Sequence, residues 1–134
     1  MTQRTFLDRA AMLAAPDLQT EEIEVPEWGT WVRVRGITAR ERDEWEASCL
    51  VGKGKSRDIN IRNLRAKLVV LSVVDDKGGR IFTDFDVETI GDKASAAVDR
   101  IYSVASRLAG VSDADVEELT KNSEAGPSAG FDSD

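Results

Sequence analysis

Histidine is absent from the 134 residues, and cysteine occurs once, at Cys49. The first absence removes Ser-His and Cys-His nucleophile pairs and any His-ligated metal. The second excludes an internal disulfide and a cysteine-built zinc site. Aromatic residues make up only 6% of the chain, so a core must be mostly aliphatic and small. No apolar run approaches the roughly 20 residues that a membrane-spanning helix needs. The opening "MTQRTFLDRAAMLAAPDL" carries Asp8 inside its short apolar part. That argues against a signal peptide and for a cytoplasmic chain. Carboxylate, lysine or tyrosine chemistry survives these exclusions, but the commonest catalytic toolkits do not.

What is present is ordinary for a soluble globular chain, with 41% hydrophobic and 32% charged residues. The length fits one domain. The net charge of −7 is unevenly spread: from Val111 onward seven acids face a single lysine, so that segment holds −6 and the first 110 residues only −1. Such an acidic block solvates itself or serves as an interaction tail. Against it stands a local basic cluster of Lys53, Lys55, Arg57, Arg62, Arg65 and Lys67, interrupted by Asp58. An acidic chain is poorly suited to free nucleic acid, whose binding is dominated by phosphate neutralisation.

Periodicity gives a coarse order of elements. "RTFLDRAAMLAAPDL" predicts a short helix with Phe6, Ala10 and Leu13 on one face, stopped by Pro16. "EEIEVPEWGTWVRVRGIT" switches to alternation, and "PEWGT" supplies turn chemistry, which predicts a hairpin of Glu21–Val25 with Thr30–Arg35. Glu22 and Glu24 are then expected to face Arg33 and Arg35. Thr38 with Glu41 three residues on forms a capping box that opens a second helix, whose Trp45 and Cys49 point inward. "VGKGKSRD" reads as a mobile basic loop.

"KLVVLSVV" has strand composition, and "DDKGG" after it would make a hairpin turn. The spacing of Ile61, Leu64, Leu68 and Leu71, with polar residues between, fits a helix better. Helix is therefore expected from Ile59 to Val74, ended by the Asp75–Gly79 turn, with "RIF" as a short extended return. A helical turn at Val87–Ile90 leads into a last long helix over Lys93–Ala109, closed by Gly110. Ser112 and Asp115 would cap a final short helix, and "SEAGPSAGFDSD" should be disordered.

Candidate chemistry is thin. The carboxylate pairs Asp75/Asp76, before Gly-Gly, and Asp84/Asp86, around Phe85, are the only catalytic candidates, and turn and cap duty explains them better than acid–base work or a divalent ion. "GKGKS" lacks the full phosphate-loop spacing and has no preceding strand. Trp45 is expected in the core. Trp28, beside Gly29 in the turn, is read as exposed and as a partner contact. A helical body with a charged loop and an acidic tail suits binding rather than catalysis.

The order of these segments resembles a known family. "EEIEVPEWGTWVRVRGITARERDEWE", "NLRAKLVVLSVVDDKGGRIFTDFDVETIGDKASAAVDRIYSVASRLAGVS" and "VEELTKN" are similar to the tail assembly chaperones of long-tailed, siphovirus-type bacteriophages. The resemblance runs from about Thr20 to Asn122. It implies a mainly α, α+β fold: four to five helices with an N-terminal antiparallel hairpin and a disordered C-terminal tail. Residues 1–19 would be a helical extension, 20–122 the chaperone-like domain and 123–134 the acidic tail.

The resemblance further implies a non-enzymatic protein with no cofactor and no metal. It would bind the tape measure protein, keep it soluble and help recruit tail tube subunits. It would work in the host cytoplasm and be absent from the mature virion. Members are often made in two lengths by ribosomal frameshifting, so a longer form of the chain is a further expected partner; nucleic acid and membrane are not. The side chains singled out for partner contact are Trp28, Trp31, Lys53, Lys55, Arg57, Arg62 and Arg65. Two other classes stay open on the residues alone: a structural tail-tube or head–tail joining protein, and a small carboxylate enzyme or metal-binding regulator built on Asp75, Asp76, Asp84 and Asp86.

Overall fold

The computed structural model describes residues 4–51, 58–59 and 63–111. Five α-helices and a three-stranded antiparallel sheet make up the described body, with a two-residue ladder beside it. The α+β class read from the sequence stands, while the acidic tail and the helix expected after Ser112 lie outside the described residues.

Helix α1 (Arg9–Ala14) is shorter than expected. The Asp8 carboxylate caps it by accepting from the Ala11 amide at 2.9 Å, and Ala15 turns extended ahead of Pro16. Phe6 therefore precedes the helix, and none of α1 is buried. Strands β1 (Thr20–Val25) and β2 (Thr30–Arg35) form the expected hairpin around a 3-10 turn at Pro26–Trp28. Gly29 closes that turn at φ +66, a left-handed conformation that glycine takes without strain. Glu22 faces Arg33 as expected, and the pair closes to 2.7 Å. Glu24 does not face Arg35: the register sets it opposite Trp31, and Arg35 opposite Thr20. Arg35 instead forks onto Glu41 at 2.9 and 3.0 Å and donates to the Leu71 carbonyl. A bidentate fork and a backbone acceptor outcompete one exposed cross-strand partner.

Helix α2 (Ala39–Ala47) opens with both halves of the capping box between Thr38 and Glu41. Trp45 and Cys49 are buried, and the Trp45 indole N–H donates to the Leu64 carbonyl at 3.1 Å. The ends of the basic loop are drawn together by β3 (Leu50–Val51) and β4 (Asp58–Ile59), a pairing not foreseen. The loop interior lies outside the described residues.

The apolar run resolves as helix and strand in succession. Helix α3 covers only Leu64–Ser72, after Asn63 at φ +61, and β5 (Val73–Val74) follows without a break. The expected helix was too long at both ends, since Ile59 belongs to β4 and Val73–Val74 pair with Val34 and Arg33 of β2. β-Branched residues at a helix end pass readily into extended backbone where a strand offers hydrogen bonds. Nor is the core contact of α3 a narrow stripe: Leu64, Ala66, Leu68, Val69, Val70 and Ser72 are all buried. This helix is the centre of the fold, packed against α4 (Val87–Gly91), α5 (Ser95–Leu108) and α2.

Helix α5 carries the expected face, with Ala97, Val98, Ile101 and Ala105 buried, though it is shorter at each end than Lys93–Ala109. Gly110, at φ +77, closes it: its amide donates to the Arg107 carbonyl, and the Val111 amide to that of Ser106 at 2.8 Å. Across the covered face of the sheet, Arg107 reaches Glu21 at 2.7 Å and Arg100 reaches Glu27 at 2.9 Å, tying α5 to the hairpin. No helix among the described residues is long and apolar enough to cross a membrane.

Candidate functional site

Alternation along β2 divides the sheet. Val32 and Val34 turn to the helices and are buried, whereas Trp31 and Arg33 point to the opposite face. Val74, paired with Arg33, shares that outer face; it is buried yet stands outside the main core cluster. The Asp75–Gly79 turn then folds the chain back. The Asp75 carboxylate accepts from the Lys77 and Gly79 amides at 2.8 and 2.9 Å. These backbone bonds, that of Gly79 first, hold its pKa below the usual aspartate value. Arg80 bridges to Val74, and the Ile81 amide donates to the Val73 carbonyl at 3.3 Å. The expected extended return at "RIF" thus pairs with β5 and sets Ile81 and Phe82 beside the sheet.

The result is an open groove of about 500 Å³ with apolar walls from Trp28, Trp31, Val74, Ile81 and Phe82. Its polar rim is mainly acidic, with Glu22, Asp75 and Asp76 against Arg33. Trp31 is 65% exposed and Ile81 53%. Trp28, expected exposed, is half-buried because it packs on the core, and the Lys93 ammonium stands 5.7 Å from its ring centroid. The two hairpin tryptophans meet at one site, one as a fixed wall and the other as an open surface.

Arg65 does not join them. It pairs with Asp99 at 3.1 Å and lines a separate, more polar depression along α5 with Tyr102 and Arg107. Lys53, Lys55, Arg57 and Arg62 lie outside the described residues. Ile81, Phe82 and Val74 were missed as site residues; the signal for Ile81 and Phe82 was the short extended segment after a glycine pair, and that for Val74 the strand composition of "KLVVLSVV".

The acids nearest the groove serve local structure. Thr83 and Asp86 cap a 3-10 turn, Asp84 pairs with Arg80 at 3.3 Å, and Asp75 organises its own turn. The Asp76 carbonyl accepts from Arg33 at 3.4 Å. No group of three His, Cys, Asp or Glu side chains among the described residues could hold a metal ion. Burial pushes the Cys49 thiol pKa up, away from thiolate chemistry. A groove walled by tryptophan and aliphatic side chains with a charged rim suits an apolar stripe on another polypeptide.

Comparison with known proteins bears on the same point. Residues 7–122 match the family model for the phage tail assembly chaperone, a span that begins before Thr20 and takes in α1. Among solved structures the chain is similar to "Structure of bacteriophage HK97 tail assembly chaperone", with a TM-score of 0.52 at 14% identity over 78% of this chain and 91% of that one. At that identity the likeness concerns the fold. No curated protein sequence matches the chain.

Proposed function

The chain belongs to the phage tail assembly chaperone family, and from that premise we propose that it is a non-enzymatic helper that binds the tape measure protein through the Trp31 groove. Holding that long helical client keeps it soluble and presents it to tail tube subunits. The chaperone acts in the host cytoplasm and leaves before the particle is complete. A longer frameshifted form of the chain, sharing the groove, is the other partner this reading expects.

The observation that supports this reading best is the outer sheet face itself. A tryptophan left 65% exposed beside Ile81, in a chain that buries Trp45 to 2%, marks surface meant for another protein. An amphipathic helix presents apolar side chains three and four residues apart, and a groove of this kind takes such a stripe.

Co-expression with the tape measure protein of the same phage tests the proposal. The wild-type chain should raise the soluble fraction of the client and co-purify with it, and Trp31→Ala should do neither while folding normally. Equal rescue by both chains contradicts the assignment of the groove. Stoichiometric copies in purified virions contradict the transient role.

A further inference from the structure

We propose that residues 112–122 fold back along α5 and close the depression beside Arg65, so that this face is covered by the chain's own C-terminal segment. The depression is an open trough of about 660 Å³. Its floor is a stripe along α5 in which Asp99, Tyr102, Ser103, Ser106 and Gly110 recur at helical spacing. A second helix packs on a stripe of that kind. The end of α5 directs the chain into it. Gly110 reverses the backbone at φ +77, and the Val111 amide donates to the Ser106 carbonyl at 2.8 Å. Val111 is itself buried, at 6% exposure. Gly110 and Val111 both line the trough, so residue 112 begins at its rim. A reversal this short between two helices is the connection of an αα-hairpin.

The segment has the length and pattern that this face calls for. The family match runs on to Asn122, past the end of α5, which sets these residues inside the domain. Ser112 with Asp115 has the N-cap pattern, and Val116, Leu119 and Thr120 fall on one helical face. As a helix, residues 113–122 would span about 15 Å, much the same rise that separates Asp99 from Ala109 along α5. Charge agrees with an antiparallel return. Arg107 marks the near end of the trough, and Asp99, paired with Arg65, marks the far end. Counted from the turn, the segment offers Asp113 and Asp115 first and its single lysine, Lys121, last. Acids then meet Arg107 and the lysine meets Asp99, and complementary charge of this kind fixes register. The side chains of Arg107 and Asp99 are 59% and 54% exposed despite their present pairs, which leaves each open to a second partner. An α5 face closed in this way is not offered to a client.

Disulfide trapping in the full chain tests the return. Cys49 is fully buried and does not compete. A Ser103→Cys/Thr120→Cys variant joins two positions that the return sets opposite each other, whereas Ser103→Cys/Asp113→Cys joins the middle of α5 to the turn. In a loose segment the shorter loop closes faster, so the Asp113 pair would lead. The docked segment reverses that order: under mild oxidant and at low protein concentration the Thr120 pair should close about tenfold faster, because seating raises its effective concentration. The product should be a cross-linked monomer. Adding Leu119→Ser to each pair removes the largest apolar contact of the segment without touching α5, and the preference should vanish. A faster Asp113 pair, equal rates, a preference that survives Leu119→Ser, or disulfide-linked dimers that assign the trough to a second copy would each overturn the proposal. The trough and the Trp31 groove share no lining residue. Trp31→Ala should therefore leave both rates unchanged, and the trapping result bears on this inference alone.

Discussion

The two faces of one small sheet have opposite fates. Towards the helices, Val25, Val32 and Val34 vanish into a core with Leu68, Val69 and Ile101. Away from them, Trp31 and Ile81 stay in water over a floor made by Val74. The same alternation that builds the core on one side must place every second residue on the other, and there the chain sets apolar groups as well as the Glu22–Arg33 pair. A face that only had to be solvated would not need a tryptophan. The contrast separates side chains that hold the fold from side chains that the fold holds out.

Substitutions sharpen that contrast, from severe to slight. Trp45→Ala removes a buried indole together with its bond to the Leu64 carbonyl. It should cost about 3–5 kcal/mol in denaturant unfolding. Arg35→Ala breaks a half-buried fork to Glu41 and a bond to the Leu71 carbonyl, for about 1–3 kcal/mol. The Arg35 hydrogen bond, before any other cause, lowers the Glu41 pKa in the folded chain. Its stabilisation is therefore complete above the ordinary glutamate value of ~4.3 and fades as pH falls through the lower folded value. The stability gap between wild type and Glu41→Gln should accordingly narrow between pH 5 and pH 2.

Gly29→Ala forces a side chain into left-handed backbone with no clash around it. About 1–2 kcal/mol is expected in thermal melts. Trp31→Ala should change stability by less than about 0.5 kcal/mol, the ordinary scale for exposed positions. A melting temperature that falls as far as that of Trp45→Ala would erase the distinction between the faces.

Locally encoded features were legible. The capping box at Thr38 and Glu41, the turn at Gly29, the Asp75 turn and the Gly110 closure each depend on neighbours within a few residues. So did the core face of α5, which its 3.6-residue spacing announces. What failed to show was non-local. The end of α3 at Ser72 is decided by the pairing of Val73–Val74 with β2, forty residues earlier in the register of Arg33 with Val74, and no periodicity carries that information. Arg35 changed partner because Glu41 and the Leu71 carbonyl converge only in three dimensions. Half of the groove was visible as two hairpin tryptophans. Ile81 and Phe82 joined them through the bridge of Arg80 to Val74, which the sequence marks only as a glycine pair before a short extended run.

Hydrogen exchange of the full chain with and without the tape measure protein tests the outer-face assignment most directly. New protection is expected at residues 25–33 and 73–82, with α5 unchanged. Protection gathered around Arg65 and Tyr102, with those two segments exchanging as before, would contradict it.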